Sequence, residues 1–325
     1  MIDVKPELLT AEFRELSAKL GQDPLQVQGP GGNTSIKEGD VMWIKASGTE
    51  LANAVKTNIF VAVDRNAALA EAREETGDGS CKTTILDPAI SLRPSIETTF
   101  HAALDHKVVV HTHSVATITH GISPEGREAL KHKLEGLPFV LVPYAKPGLP
   151  LTRLILAAQK PDTRVFILQN HGLLCCGASV DEVKSLIQDV ERRLCLPARD
   201  YARKPKKPVP PSGYGWAEES WLARDARASD IALSGTYYPD HTVFLGPALP
   251  EQDETGAAPA VLVKGEGVLL SLTATDSQRA MLLCLSNVLR RLPEDWSVEA
   301  IGAEAEVELL NWDAEKYRQA LAKNA

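Results

Sequence analysis

Residues 108–115 read VVVHTHSV, and residues 166–174 read FILQNHGLL. Each holds a short apolar run beside or around histidine, and such runs predict buried strands. Side chains alternate along a strand, so His111 and His113 face the same way about one pleat repeat apart. Two imidazoles on one face, joined by His171 from a second strand, are the nitrogen half of a catalytic zinc site. For one histidine alone, a satisfied core residue is the simpler reading. For the pair it is less so, because burying two adjacent imidazoles without a metal is costly. The expectation is therefore strands over 107–114 and 164–169, and a metal held by His111, His113 and His171.

Outward from these strands, helix and strand alternate. Residues 10–20 place Phe13, Leu16 and Leu20 at helical spacing, with Thr10 as N-cap. A Gly-rich loop, QGPGGNTS, precedes the strand-like VMWIKASG. Helices are expected over 64–76, 94–105, 151–159 and 179–196, the last amphipathic and opening near Ser179 or Asp181. Residues 204–212, KPKKPVPPS, break the pattern: repeated prolines continue neither helix nor strand, and the lysines read as solvation. This linker divides a domain at 1–203 from an extension at 213–325. In the extension, residues 216–228, 276–292 and 313–323 read as helices, and 241–245 and 260–272 as strands. The frame Gly172-Leu173-Leu174 plus helix recurs as Gly267-Val268-Leu269 plus helix, with Glu266 where the first copy has His171.

Composition narrows the function. The chain has 325 residues, 44% hydrophobic and 24% charged, within the globular range and enough for one large domain or two smaller ones. Its net charge of −8 is interspersed, without the basic stripe of a nucleic-acid binder. No apolar stretch approaches a membrane span, and the start lacks a signal-peptide pattern. The five cysteines, odd in number and lacking CxxC spacing, read as reduced thiols, mostly in apolar segments. Together these suggest a cytoplasmic protein.

Glu97 belongs with the histidines. It lies on the helix feeding the HxH strand, four residues before His101 and so on the same helical face. A carboxylate beside a zinc centre can be a ligand, a proton carrier, or both in turn. Two loops offer anion-binding groups: Gly29–Ser35, with close backbone approach and the Asn33 amide, and Ala46–Thr49, with hydroxyls and free N–H groups. Neither matches a P-loop or a dinucleotide fingerprint, and no GxSxG elbow is present. His241, in YYPDHTVF, is a minor candidate ligand.

Six segments then carry a resemblance. GPGGNTSIK, IKASGTEL, RPSIETTFHAAL, VVVHTHS, VPYAKPGLPLTRLI and ILQNHGLLCCG occur in the order and approximate spacing of the class II aldolase/adducin family. The match covers roughly residues 8–195. GGNTS and RPSIET look most like the aldolase half of bifunctional rhamnulose-1-phosphate aldolase/alcohol dehydrogenases.

The resemblance implies an α/β fold: a three-layer αβα domain around a central, mostly antiparallel sheet, here with a smaller C-terminal α/β extension. It implies Zn2+, or another divalent metal, on His111, His113 and His171. Glu97 matches the family's carboxylate, which binds metal at rest and moves the proton in turnover. Gly32, Asn33, Ser47, Gly48 and Ser95 match the phosphate-pocket positions. A homotetramer with sites at subunit interfaces is also implied.

The expected function is a zinc-dependent aldolase or related lyase. It would act on a small, phosphorylated ketose or a keto acid through a metal-stabilised enediolate. Sugar-phosphate 4-epimerases and phosphorylated keto-acid decarboxylases share the scaffold, and adducin-like proteins use it as a metal-free interaction module. Two departures stand out. The family's interface tyrosine is missing from residues 119–137, leaving Lys131, His132, or Tyr237 and Tyr238 of the extension as stand-ins, while Tyr144 reads as packing. Ile96 also replaces a hydroxyl that often precedes the glutamate.

Overall fold

The computed structural model describes residues 2–201, 208–251 and 258–324. Its main sheet has seven strands: β1 (Asn33–Glu38), β2 (Val41–Lys45), β3 (Phe60–Asp64), β4 (Val108–Thr112), β5 (Phe139–Val142), β6 (Val165–Leu168) and β7 (Gly172–Gly177). They lie in the order β3-β2-β1-β4-β7-β6-β5, antiparallel throughout except for β5 beside β6. The register sets Asn33 opposite His111, and His111 opposite Leu174. The Gly-rich loop, the HxH strand and the β6–β7 turn bearing His171 thus meet at one end of the sheet.

Seven helices cover the two faces: α1 (Ala11–Gln22), α2 (Arg65–Ala72), α3 (Thr98–Ala103), α4 (Val115–Gly121), α5 (Pro124–Lys133), α6 (Leu149–Ala158) and α7 (Val180–Leu194). On one face Phe13 of α1 and Val183 and Ile187 of α7 pack with Val108 and Val110. On the other, Phe100 of α3 and Leu151 and Ile155 of α6 pack with Val109 and Phe166. Burial on both faces explains why these strands read as unbroken apolar runs. The Thr10 and Ser179 hydroxyls cap α1 and α7 by accepting from the Phe13 and Glu182 N–H groups.

The extension comprises β8 (Tyr214–Trp216), β9 (Ala260–Val263), β10 (Gly267–Ser271), α8 (Ala226–Ser234), α9 (Pro239–Leu245), α10 (Asp276–Arg291), α11 (Ala303–Asn311) and α12 (Asp313–Asn324). Its strands form a separate antiparallel sheet, β8-β10-β9. Its core is not its own: Met281, Leu285 and Val288 of α10 share a cluster with Val115, Ile118 and Ile122 of α4. Further ties are the Asn170 amide donating to the Tyr237 and Glu299 carbonyls, and an Arg127–Glu299 ion pair. Residues 204–207 of the expected linker lie outside the described residues, and 208–211 have no regular structure.

Five expectations are corrected. The helix expected over 94–105 is only α3, because Pro94 bridges Ala46 and the Ser95 N–H donates to the Lys45 carbonyl, holding 93–95 extended. Glu97 is therefore an N-cap residue, not on a helical face with His101. The loop at QGPGGNTS ends at Gly32, since Asn33, Thr34 and Ser35 already pair within β1. Residues 241–245 are helical, within α9. Pro239 occupies its first turn, where a missing N–H costs nothing, and the segment is buried all round, which hides its period. Residues 216–228 split into β8, a 3-10 turn at Glu218–Ala223 and the start of α8, capped by Asp225. All five cysteines are free, four of them buried and Cys195 exposed. Among the described residues, no helix is long and apolar enough to cross a membrane.

Candidate metal centre

His111 sits at the penultimate position of β4, His113 just beyond its end, and His171 in the turn into β7. One ligand atom from each lies within 4.8 Å of the others, and all three residues are buried. The His111 Nδ1–H donates to the Leu173 carbonyl at 3.0 Å, since a carbonyl can only accept. Its lone pair is thereby left on Nε2, which has no hydrogen-bond partner. Burial lowers the proton affinity of His111 and, more strongly, of His171, where the neighbouring imidazoles add to the effect. Neutral imidazoles are the form that binds metal.

Glu97 faces this cluster. Oε2 lies 3.6 Å from His111 Nε2, and Oε1 lies 3.6 Å from His171 Nε2. These separations approach the edge of a tetrahedron with zinc–ligand bonds, about 3.4 Å. Glu97 Oε1, His111 Nε2 and His171 Nδ1 are buried without hydrogen-bond partners, which is costly unless something else satisfies them. Three buried imidazoles, one carboxylate and unpaired atoms among them fit a divalent cation.

A relay behind the carboxylate fixes it. The Ser35 hydroxyl donates to His101 Nδ1 at 2.7 Å, and His101 Nε2–H donates to Asn33 Oδ1 at 2.5 Å. The Asn33 amide then donates to Glu97 Oε2 at 2.7 Å and to Ser95 Oγ at 3.2 Å. That order is forced, because a carboxylate can only accept. His101 is held well below its ordinary proton affinity by burial, then by the Lys37 charge, so it stays neutral in this role.

All eight site residues expected from sequence besides His111 line one small chamber: Gly32, Asn33, Ser47, Gly48, Ser95, Glu97, His113 and His171. Its volume is about 30 Å³, room for roughly two waters. Gly32 has φ +58°, and a Cβ there would come 2.9 Å from the His111 carbonyl oxygen. Gly48 has φ +77°, and a Cβ there would come 2.3 Å from Leu321 Cδ1, so α12 lies directly on this turn. A groove of about 610 Å³ adjoins the chamber across Ser47, Ile96 and Pro147, and Arg93, Lys146, Trp312 and Tyr317 line it.

Three chamber residues escaped the sequence reading. Lys45 donates to the Pro30 and Gly32 carbonyls at 2.7 and 3.0 Å, tying down the Gly-rich loop. Asp240, from α9, places Oδ2 3.3 Å from His113 Nδ1. Arg318, from α12, grips both oxygens of Asp240 at 2.8 and 3.0 Å and also binds Glu315. Burial works against the charge on Asp240, but Arg318 and His113 hold its carboxyl well below the usual range. Burial pushes Glu315 up to about 7. No local signal marks these residues: Glu315 and Arg318 read as a surface i,i+3 pair, and Asp240 stands beside the histidine that drew attention. His241 itself is buried without hydrogen-bond partners and outside the histidine cluster, so the minor ligand expectation is not met.

None of the suggested proton donors lines the chamber. Lys131 and His132 are exposed on α5. The Tyr237 hydroxyl is tied to Ser234 and the Ile231 carbonyl, and Tyr238 is buried against Cys284. The Tyr144 hydroxyl is buried too, and its proton affinity is raised by burial and the nearby Glu308 and Glu306.

Similar proteins share this framework. Over 192 residues the chain is 31% identical to a Bacillus subtilis (strain 168) protein named uncharacterized oxidoreductase YuxG, covering 53% of this chain but only 28% of that one. It is 28% identical over 191 residues to the L-fuculose phosphate aldolase of Haemophilus influenzae, covering 54% of this chain and 79% of the aldolase. Among solved structures, the N-terminal class II aldolase domain of a conserved Thermoplasma acidophilum protein superposes with a TM-score of 0.52. It is 26% identical, and the match covers 60% of this chain and 94% of that one. Residues 12–195 match the family described as Class II Aldolase and Adducin N-terminal domain, more than half the chain, and the chain belongs to that family.

Proposed function

We propose that the chain is a zinc-dependent lyase that cleaves or forms a carbon–carbon bond beside the carbonyl of a small, phosphorylated ketose. One observation carries this reading: three buried imidazoles and the unpartnered Oε1 of Glu97 converge at one place. His111, His113, His171 and Glu97 would hold the ion. When bound, a divalent cation there supplies Lewis-acid stabilisation of negative charge building on substrate oxygens.

The chain's own groups do the rest. Glu97 exchanges the proton at the reacting carbon through Oε1, the oxygen that Asn33 leaves free. Asn33 and its relay hold that carboxylate in one orientation, so little reorganisation accompanies the transfer. Gly32, Asn33, Ser47, Gly48 and Ser95 receive the anionic group, with Lys45 and Arg318 beside them in the same chamber. A sugar phosphate exceeds the chamber's volume, so the body of the substrate would lie in the adjoining groove.

Residues 1–203 are assigned the chemistry and 213–325 the closing wall, in a cytoplasmic homotetramer. The likeness of GGNTS and RPSIET to bifunctional rhamnulose-1-phosphate aldolases makes rhamnulose 1-phosphate the first ketose to test. The match to a limited part of a longer protein named as an oxidoreductase supports that narrower kinship.

The test is metal analysis of the purified protein followed by a panel of ketose phosphates, free ketoses and phosphorylated keto acids. Dihydroxyacetone phosphate as product supports the aldolase. Carbon dioxide or an epimer redirects the assignment to a decarboxylase or 4-epimerase. A protein that takes up no metal and turns over nothing is an adducin-like interaction module instead.

A further inference from the structure

The extension reaches the histidine cluster at one point. Asp240 Oδ2 lies 3.3 Å from His113 Nδ1 and also accepts from Arg318 Nη2 at 3.0 Å, while Oδ1 accepts from Nη1 at 2.8 Å. Asp240 and Arg318 are buried, and Glu315, also buried, holds Arg318 from the other side. A carboxylate cannot donate, so this contact is a hydrogen bond only if His113 carries its proton on Nδ1. The arrangement repeats at His111, whose Nδ1–H donates to the Leu173 carbonyl. With its proton on Nδ1, His113 would present Nε2 as His111 does.

We infer that the C-terminal extension completes the metal centre, with Asp240 as the outer carboxylate that fixes the tautomer and orientation of His113 and with Arg318 and Glu315 holding Asp240. A carboxylate behind a metal-bound imidazole raises its basicity and fixes the ring, and loss of such a partner weakens metal binding by about 10–100-fold. Asp240 is a positioning residue, because it acts through His113. The inference rests on the metal-site reading above.

Gly31 offers an independent handle on the same contact. A Cβ there would lie 2.7 Å from His113 Nδ1 and 3.0 Å from Asp240 Oδ2, so Gly31→Ala drives a wedge between them and replaces neither. Asp240→Asn keeps the shape of the side chain, and Arg318 retains Glu315 as a partner.

The experiment is competition of the full chain with a chromophoric chelator for Zn2+, alongside the visible spectrum of the Co2+-loaded protein. Asp240→Asn and Gly31→Ala are each expected to weaken Zn2+ binding about 10–100-fold. The Co2+ bands should shift in position with their four-coordinate intensity kept, and this shift, unlike the fall in unfolding midpoint expected from weakening a buried ion pair, reports on the metal centre itself. Binding by Asp240→Asn within twofold of the unsubstituted chain, with an unchanged Co2+ spectrum, overturns the inference and leaves the metal site standing. Loss beyond a thousandfold with a change in coordination number makes Asp240 a direct ligand and overturns the outer role. An unsubstituted chain that takes up no metal overturns the metal-site reading itself, and this inference with it.

Discussion

Gly48 gives a direct measure of how α12 closes the chamber. Its φ of +77° lies in the left-handed region, and an added Cβ would meet Leu321 Cδ1 at 2.3 Å. Gly48→Ala therefore carries two costs. Left-handed backbone disfavours alanine by about 1–2 kcal/mol. The overlap falls on a methyl at the end of a side chain, and Leu321 relieves it by leaving its rotamer, at about 0.5–1.5 kcal/mol. The single substitution should cost about 2–3 kcal/mol in all. In a Leu321→Ala background the new methyl finds space, and only the backbone part remains. The cycle should then show a coupling of about 1 kcal/mol, in the range for residues in contact. Urea unfolding with chelator present measures all four proteins free of metal linkage. Equal costs of Gly48→Ala in both backgrounds would refute the placement of α12 on this turn.

Other outcomes follow from the site and the core. Glu97→Gln keeps the acceptor for Asn33 and the shape of the side chain, so metal should stay while turnover falls about 10²–10⁴-fold; near-normal kinetics with metal bound would sink the proton-transfer role. Saturating Zn2+ should raise the melting temperature of chelated protein, since ligand at a thousand times Kd stabilises by about 4 kcal/mol; an unmoved transition counts against a native site. Stability should also rise with pH just above neutrality. Burial lowers Lys37 and Lys45 to about 7, so between there and their unfolded values the unfolded chain binds more protons. The four buried thiols act in the opposite sense and outnumber the two lysines: burial pushes Cys176 and Cys284 up to about 12 and Cys81 and Cys175 higher still, while unfolded thiols ionise from about 8.5. Denaturant midpoints of reduced, chelated protein at pH 7, 8.5 and 10 should therefore peak near the middle value, and a midpoint that falls from 7 to 8.5 contradicts the lysine assignment.

What the sequence disclosed follows the range of the interactions involved. β4 and the β6–β7 turn were legible because their apolar runs are buried on both faces, and α1 and α7 because Thr10 and Ser179 cap helices of clear period. The three histidines were legible because neighbouring strands carry them to one edge. Glu97 was found for its chemistry but placed wrongly, since a bridge from Pro94 to Ala46 shortens the helix that local composition favours. In the extension, α9 was mistaken for a strand because a wholly buried helix shows no polar face. Asp240 and Arg318 were beyond reach for another reason: only the packing of α9 and α12 against the first domain makes either of them part of the chamber.

That same packing imposes an order on folding. β1 and β2 pair through a two-residue turn, and β6 and β7 through a short one, so these hairpins can zip early, while β4 with His111 joins them by longer-range pairing. Asp240 meets His113 only after a loop of about 130 residues closes. Arg318 reaches Asp240 across a further 78. Contacts at such separation form late. On the proposed metal-site reading, the three histidines would come together before Asp240 arrives, and the docking of α9 and α12 would complete the shell that holds an ion.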